Sequence, residues 1–538
     1  MPPHGAAYRP VVMGLRGVVT SAHPLASAAG LQMLLAGGNA ADAAVATAAA
    51  LNVVEPFMSG VGGNGLAVVS KCGDKRVLDF LAYAPATADP AQCTDEELAG
   101  GPKAIAVPGN VGGWLALLER YGTMDRQTVL GPATELASGG VPLTVKNVEF
   151  FEQGRAKLAK SAEAQRLYLG TSPRVGAVVR YEELAGTFRQ IAEGGVEAFY
   201  RGPIARTIAS AVQAAGGWLT AEDVAAFEPA WREPIAVEFR NCEVLTVPPP
   251  GSIAWQGLET LAILGGYDLK AWGHNSVEYL HHLIEAIKLA SADRLAYGFS
   301  ADPPVKGLLS AEYAASQRDR IDPVRAGRSE GERHNQKRLL NEIREGHPPQ
   351  FVNEQTTHFA CADASGLVVS VTQTLGAAFG SGFAVPGTGV LLNNHLQWMD
   401  RDPASPNVLR GRRKLAVNMS PTQVFRDGHF ALSIGTPGSY GILQTTPQMV
   451  MNVLEFGMNV QEAIEAPRVR VYRDRLVDAE SRVPADVRGA LAGRGHQVNT
   501  IADWSWVVGG GQGIVRDAES GALMGGADPR RDGYALAI

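Results

Sequence analysis

The sequence predicts a mixed α/β protein, rich in helices before about residue 350 and rich in strands after it. The Ala/Leu-rich stretch 21–54, broken by two glycines at 37–38, has the composition of two buried helices. Residues 281–298 (HHLIEAIKLASADRLAYG) repeat apolar side chains at helical spacing. Residues 358–375 (HFACADASGLVVSVTQTL) alternate as two strands around a turn that ends at Gly366.

The composition is that of a globular protein with a sizeable core. The chain has 538 residues, of which 46% are hydrophobic and 19% charged, enough for two to four domains or one large layered unit. A net charge of −6 without a Lys/Arg block argues against nucleic-acid binding. The four cysteines show no metal-binding spacing, and no signal peptide or membrane-spanning stretch is evident. These features predict a cytoplasmic protein.

Further elements follow along the chain. The apolar run 66–69 and the run 77–83 (VLDFLAY) are predicted to be partner strands, and helical patterns dominate from 126 to about 340. The charged segment 329–354 has little apolar periodicity after Ile343 and is predicted to be a flexible connector. The regions 444–454 and 485–492 are predicted to be helical.

Three short motifs favour structural interpretations. The glycines of 60–65 fit GxGxxG, but a helix precedes them and a strand follows, which favours a tight turn over a dinucleotide site. His282 and Glu285 form an HxxE without a second histidine at ligand spacing, which argues against zinc. GRSEG at 327–331 opens the charged connector with no strand before it, so it is not a nucleophile elbow. No metal and no cofactor is predicted.

The run Gln355-Thr356-Thr357 offers a possible nucleophile. A threonine at a chain start can use its own α-amine as base, and that amine titrates near ~8. A cut before Thr356, at the end of a polar connector, would expose the amine. From the residues alone, a Thr-Thr pair before a strand is usually explained by β-propensity.

Motifs along the rest of the chain favour one of these two interpretations of Thr356. The run 356–394 (TTHFACADASGLVVSVTQTLGAAFGSGFAVPGTGVLLNN) resembles the start of the small subunit of the γ-glutamyltranspeptidase (glutathione hydrolase) family. AGGNAADAAVATAAAL, GVGGNG, VPGNVGGWLALLERYGTM, EAIKLASADR, NMSPT, GTPGS, EAPR and ADPRRDGY follow the family's order. The resemblance covers roughly residues 12–538. It implies an α+β fold, the N-terminal-nucleophile αββα sandwich of two stacked antiparallel sheets flanked by helices.

The resemblance also implies self-cleavage between Gln355 and Thr356. Residues 1–355 would form a large subunit that ends in the connector at about 329–355, and 356–538 a small subunit, together one intertwined αββα unit. Thr356 would be the nucleophile and its amine the base, with Thr374 orienting it. Backbone N–H groups of Gly438 and Ser439 would form the oxyanion hole, although Ser439 replaces a second family glycine.

The residues that bind a glutamyl group in the family are replaced in this chain. Leu81 takes the place of the arginine that pairs with the α-carboxylate, and Val417 and Asn418 replace two serines. The sequence also has Gly376 for an asparagine, His395 for a glutamine and Trp398 for an acid. Losing such charge partners should cost a zwitterionic substrate about 2–5 kcal/mol per charge.

The sequence therefore predicts a more aromatic pocket that includes His395, Trp398 and Tyr440. Asn418, His395 or the arginines 412–413 remain alternative groups for binding a substrate carboxylate in another geometry. The segment between Trp398 and Met419 is short, which predicts an open site without a long lid loop. His358 and Cys361 are predicted to be structural residues of the strand.

We accordingly predict an autoprocessing amidohydrolase or acyltransferase whose acyl substrate is not a standard γ-glutamyl compound. One alternative is an ordinary γ-glutamyltransferase or glutathione hydrolase. A second is an uncleaved, non-catalytic relative that binds a small amide. The expected partners are a small-molecule amide and the two subunits from one precursor. No nucleic acid or membrane partner is expected, and higher oligomers are left open.

Overall fold

Two seven-stranded antiparallel sheets form the centre of the protein, seen here in a computed structural model that describes residues 7–170, 172–300, 302–327, 355–472 and 474–538. The strands are β1 (Val12–Gly14), β2 (Gly17–Ser21), β3 (Asn64–Lys71), β4 (Asp74–Phe80), β5 (Val141–Pro142), β6 (Val178–Val179), β7 (Ala230–Arg232), β8 (Ile235–Phe239), β9 (Cys242–Thr246), β10 (Gln355–Asp363), β11 (Leu367–Gly376), β12 (Ala384–Val385), β13 (Val390–Leu391), β14 (Thr422–Arg426), β15 (His429–Gly435), β16 (Val469–Val471), β17 (Leu476–Glu480), β18 (Gln497–Ile501), β19 (Gln512–Arg516), β20 (Leu523–Ala527) and β21 (Tyr534–Ala537).

Helices cover the outer faces of these sheets. They are α1 (Pro24–Leu35), α2 (Ala40–Val54), α3 (Asp95–Ala99), α4 (Asn110–Tyr121), α5 (Arg126–Gly139), α6 (Val145–Leu158), α7 (Ala162–Leu169), α8 (Glu182–Val196), α9 (Pro203–Ala214), α10 (Ala221–Ala225), α11 (Trp255–Leu264), α12 (Leu269–Trp272), α13 (Val277–Tyr297), α14 (Val305–Leu308), α15 (Ala311–Arg318), α16 (Ile442–Leu454), α17 (Val460–Glu465) and α18 (Ala485–Gly493). No helix in these described ranges is long and apolar enough to cross a membrane.

The two sheets stack face to face. The first sheet has the strand order β1-β20-β19-β15-β14-β9-β8, and the second has β21-β2-β10-β11-β3-β4-β7. A small apolar cluster lies between them, formed by Val18, Ala360, Ala362, Val368, Ile514 and Leu523. Larger clusters lie on the outer faces, where α2 and α4 pack near the second sheet and α11 and α13 near the first. The predicted αββα sandwich of the α+β class is confirmed.

Helix α2 is a buried support for the second sheet. All 15 of its residues are buried, and a capping box between Asn39 and Asp42 satisfies its first N–H groups. Its alanines allow close packing against α1, where a Cβ added to Gly30 would lie 2.3 Å from Thr47 Oγ1. The helix ends at Glu55, beside the first residues of β10.

The predicted helices at 21–54, 281–298, 444–454 and 485–492 are confirmed, as is the hairpin formed by β10 and β11. Helices dominate the described part of 126–340, as predicted, but the strands at 230–246 were not predicted: β7 joins the second sheet and the hairpin β8–β9 joins the first. The hairpin turns at Arg240 and Asn241, whose φ angles of 54° and 57° are those that a two-residue hairpin turn requires. The predicted connector lies outside the described residues except for its last residue, Gln355.

Candidate active site

Thr356 lies near the start of β10, at an irregularity in its pairing with β11. Gln355 pairs with Gly376 but Thr357 pairs with Gln373, so one residue of β10 opposes two of β11. Such bulges re-aim side chains. The buried Thr356 hydroxyl donates to Thr374 Oγ1 across 3.4 Å, and that oxygen also accepts the Gly376 N–H at 2.9 Å. The two threonines paired by sequence reasoning therefore meet.

A buried carboxylate and guanidinium lie behind Thr356. Thr357 Oγ1 donates to Glu55 Oε2 at 3.1 Å, and Arg531 Nη1 donates to the carbonyl oxygen of Thr356 at 3.4 Å. Burial raises the pKa of Glu55 to about 7, although the Arg531 charge opposes the rise. Sequence reasoning missed both residues, because neither stands near Thr356 in the chain.

The predicted oxyanion turn, 436–439, follows β15 and precedes α16. Gly438 and Ser439 both have positive φ, 133° and 56°. Thr436 Oγ1 accepts the N–H of Gly510 at 2.9 Å and so ties the turn to a neighbouring glycine segment. The end of β15 touches β10, because a Cβ on Gly435 would lie 2.3 Å from the ring of His358.

His358 is a packed histidine. Its Nδ1 lies 2.9 Å from Thr372 Oγ1, and burial lowers its pKa to about 3, so the ring is neutral at pH 7. Cys361, three positions further along β10 and therefore on the opposite face of the strand, is fully buried. Both residues lie in the core, as a structural role requires.

The structure brings Gly376 and His395 together. Gly376 has a φ of 99°, and a Cβ there would lie 2.4 Å from Asn394 Oδ1 and 3.4 Å from His395 Cδ2. His395 is fully buried, with its Nδ1 2.9 Å from Asn64 Nδ2. Burial lowers the pKa of His395 to about 3, which leaves a neutral imidazole at this point.

An aromatic pair borders the oxyanion turn. The half-buried rings of Trp398 and Tyr440 meet edge to face with centroids 5.6 Å apart. The guanidinium of Arg294 lies 4.4 Å from the centroid of the Tyr440 ring, a cation–π distance. Because Tyr440 follows Ser439 directly, this pair stands beside the turn. Asn418 reaches the same place, with Nδ2 3.4 Å from Ser439 Oγ.

Leu81 and Val417 lie at a second corner, on either side of Gly251. Val417 donates its N–H to Gly251 O at 3.0 Å, and a Cβ on Gly251 would lie 3.3 Å from Leu81 Cδ1. The nearby Lys414 ammonium lies 2.9 Å from both Asp79 Oδ1 and Leu81 O. Asp79 also pairs with Arg232 at 3.4 Å. The cations of this corner are thus held by Asp79 and by a carbonyl group.

Arg413, one of the two arginines considered as partners for a substrate carboxylate, donates hydrogen bonds to backbone carbonyl groups instead. Its guanidinium donates to the carbonyl oxygens of Val408 and Phe299 at 3.2 and 3.3 Å. Arg412 is exposed.

A buried ion network supports the glycine segment behind the turn. Asp528 Oδ2 accepts the Gly511 N–H at 2.9 Å and an Arg468 N–H at 2.5 Å. Arg530 bridges Asp528 and Glu480. All four charged side chains are fully buried, so the ADPRR motif anchors Gly511, next to the residue that binds Thr436.

A cluster of histidines and a carboxylate lies elsewhere in the fold. His281, Glu285 and His496 bring ligand atoms within 4.8 Å of one another, a grouping the HxxE motif did not predict. These atoms already have partners, since His281 Nδ1 lies 2.9 Å from His496 Nε2 and Lys288 Nζ lies 2.6 Å from Glu285 Oε1. An ammonium beside the carboxylate opposes a metal cation, so the cluster is an internal polar contact.

The chain is similar to known proteins over nearly its whole length. The family model for gamma-glutamyltranspeptidase matches residues 26–538. The chain is 35% identical to a glutathione hydrolase proenzyme of Bacillus subtilis (strain 168), covering 99% of this chain and 93% of the relative. It is 35% identical to an acylase ACY 1 proenzyme of Pseudomonas sp. (strain V22), covering 98% and 94%. The crystal structure of a cephalosporin acylase from Bacillus halodurans superposes with a TM-score of 0.89 at 32% identity, covering 100% of this chain and 98% of that one.

Proposed function

Because the chain belongs to the γ-glutamyltranspeptidase family, whose members named above are hydrolases and acylases, we propose that Thr356 is its nucleophile and that its acyl substrate is not a standard γ-glutamyl group. The observation that carries the proposal is the 3.4 Å contact between the hydroxyls of Thr356 and Thr374 at the start of β10. A threonine nucleophile needs a fixed hydroxyl, and Thr374 supplies a partner that is itself held by a backbone N–H.

Self-cleavage begins with attack of Thr356 Oγ1 on the carbonyl carbon of Gln355. The C–O bond forms and the C–N bond of the peptide breaks, so that the Gln355 acyl group moves from nitrogen to oxygen as an ester. Water then hydrolyses the ester, which leaves a carboxylate on Gln355 and a free hydroxyl and amine on Thr356. By proportion of the 56.8 kDa chain, residues 1–355 and 356–538 weigh roughly 37 and 19 kDa.

Turnover uses the same hydroxyl. The free α-amine takes the proton as Thr356 Oγ1 attacks the substrate amide, and later returns it to the leaving amine. The N–H groups of Gly438 and Ser439, in the turn that follows β15, are assigned to the oxyanion. Water or an amine then resolves the acyl-enzyme, giving hydrolysis or acyl transfer.

The charges around the acyl pocket support a substrate other than a zwitterion. Leu81 and Val417 are apolar, and His395 is neutral because burial lowers its pKa to about 3. Lys414 is paired with Asp79, and no acid stands at the position of Trp398. A γ-glutamyl group would therefore lack, for its α-carboxylate and α-ammonium, the partners that the family residues at these positions supply. The aromatic pair of Trp398 and Tyr440 instead suits a planar or apolar group.

The test compares wild type with Thr356→Ala by intact mass spectrometry. Wild type is expected to give pieces of roughly 37 and 19 kDa, and the variant a single chain of 56.8 kDa. Cleavage of both proteins at 355–356 would remove Thr356 as the nucleophile. A wild type that stays whole after long incubation would favour the non-catalytic, amide-binding alternative.

The substrate is tested on the cleaved enzyme with two anilide series, γ-glutamyl and uncharged aromatic acyl. We expect higher kcat/KM on the uncharged series. Preference for the γ-glutamyl series would instead identify an ordinary γ-glutamyltransferase or glutathione hydrolase.

A further inference from the structure

We propose that Glu55 is a positioning residue for Thr356, which it holds through Thr357 and Arg531 during self-cleavage and turnover. The inference rests on the proposed role of Thr356 and extends it to a carboxylate more than 300 positions away in the chain. Glu55 acts through its neighbours and is assigned no contact with the substrate.

The carboxylate stands on a rigid support. Glu55 is the residue that ends α2, where its N–H donates to Leu51 O at 2.9 Å. Every residue of α2 is buried, and Glu55 itself is 4% exposed. A side chain on such a support loses little further freedom when it holds a neighbour.

The contacts hold both sides of one peptide unit. Glu55 accepts the hydroxyl of Thr357, while Arg531 donates to the carbonyl oxygen of Thr356, at 3.1 and 3.4 Å. The two charges also interact with each other through the protein interior. The peptide between Thr356 and Thr357 is thus held by a hydrogen bond at its carbonyl oxygen and by another at the Thr357 side chain. These two bonds limit rotation of Thr356 away from Thr374.

The positioning of Thr356 depends on the charge of Glu55. The charged groups facing this carboxylate are Arg531, which favours ionisation, and Asp532, which opposes it. Burial outweighs the attraction of Arg531, and the pKa of Glu55 rises to about 7. Ionised Glu55 attracts Arg531 and accepts the Thr357 hydroxyl, whereas the protonated acid loses the attraction. Positioning should therefore weaken as the pH falls below about 7.

The precursor offers a clean readout, because the nitrogen of Thr356 is an amide there and does not titrate. Precursor is labelled in a brief cell-free translation, diluted into buffers from pH 5 to 9, and followed by the appearance of the two subunits. Wild type is compared with Glu55→Gln, Thr357→Val and Glu259→Gln. Glu259 is a matched control, since it is another fully buried glutamate, on α11, whose pKa burial also raises.

We expect wild-type cleavage to slow as the pH falls below about 7. Glu55→Gln should cleave on the order of 10-fold slower at pH 8 and lose that pH dependence, because the charge is gone. Thr357→Val should be slower by a similar factor but keep the pH dependence, since it retains Glu55. Glu259→Gln should match wild type in rate and profile.

Cleavage of Glu55→Gln at the wild-type rate with the wild-type profile would overturn this inference and leave the proposed function intact. A wild type that does not cleave would overturn both. If circular dichroism shows that Glu55→Gln is unfolded, the cleavage rate of folded Thr357→Val tests the proposal in its place. A wild-type rate in Thr357→Val would contradict positioning through Thr357.

Discussion

The hydroxyl of Thr374 stands between the Thr356 hydroxyl, 3.4 Å away, and the N–H of Gly376, 2.9 Å away. The backbone bond fixes the position of Thr374 Oγ1, so the direction in which Thr356 is held is set by the strand and not by a mobile side chain.

Thr374→Val removes this hydroxyl while keeping the branched shape of the side chain. Self-cleavage and turnover should both slow on the order of 10- to 100-fold, the range for a lost hydrogen bond to a reacting group. Thr374→Ser retains the hydroxyl and should keep most of the rate. Intact mass and steady-state kinetics measure the two effects, and equal rates for the valine and serine variants would contradict the assigned role.

The oxyanion turn can be tested at two adjacent residues. Gly438 has a φ of 133°, where a Cβ is strained, so Gly438→Ala should displace the turn and reduce kcat on the order of 100-fold. Ser439→Gly keeps the backbone N–H and relieves a positive φ of 56°, so it should stay active with stability raised by about 1 kcal/mol. An inactive Ser439→Gly enzyme would assign a catalytic role to the serine side chain instead.

The raised pKa of Glu55 predicts that folding stability depends on pH. Its pKa is raised from 4.5 to about 7 in the folded protein, so the folded state binds this proton more tightly than the unfolded chain. The stabilisation is fully present below pH 4.5 and is lost as the pH rises through about 7, with a span of about 3 kcal/mol.

Chemical denaturation of Thr356→Ala and Thr356→Ala/Glu55→Gln, both expected to stay single chains, measures this span. The difference between their free energies of unfolding should shift in favour of the glutamate by about 3 kcal/mol between pH 8 and pH 4.5. A difference that does not change with pH would show that Glu55 does not titrate in this range.

Trp398 offers a test of substrate choice. The half-buried indole stands where the resemblance implies an acid that pairs with the α-ammonium. Trp398→Asp should raise the kcat/KM ratio of γ-glutamyl over uncharged acyl anilides on the order of 10-fold, and Trp398→Phe should leave it low. If both variants shift the ratio equally, the aspartate charge is not what selects the substrate.

The buried network around Asp528 predicts a large effect on stability. Asp528→Asn leaves Arg468 and Arg530 with one negative partner fewer at a fully buried site, and should destabilise the protein by about 3–5 kcal/mol. Glu519→Gln, on an exposed turn, should change stability by less than about 0.5 kcal/mol. Thermal unfolding of the two variants beside wild type measures the contrast.

Much of the fold follows from local patterns. The helices α1, α2 and α13 and the hairpin β10–β11 are long and strongly periodic, and the structure has them where expected. The strands at 230–246 were not predicted because they have only three to five residues and lie between helices, so their pattern is too short to stand out.

The sequence by itself determined the family, the αββα class, and Thr356 and Thr374 as residues to examine, because local periodicity and motif order are properties of contiguous residues. Tertiary structure alone decided that Glu55 and Arg531 lie behind Thr356, that His395 is a neutral ring, and that Lys414 is held by Asp79. Partners hundreds of positions apart and the degree of burial arise only when the two sheets and α2 pack together, and those quantities set charge and geometry at the site.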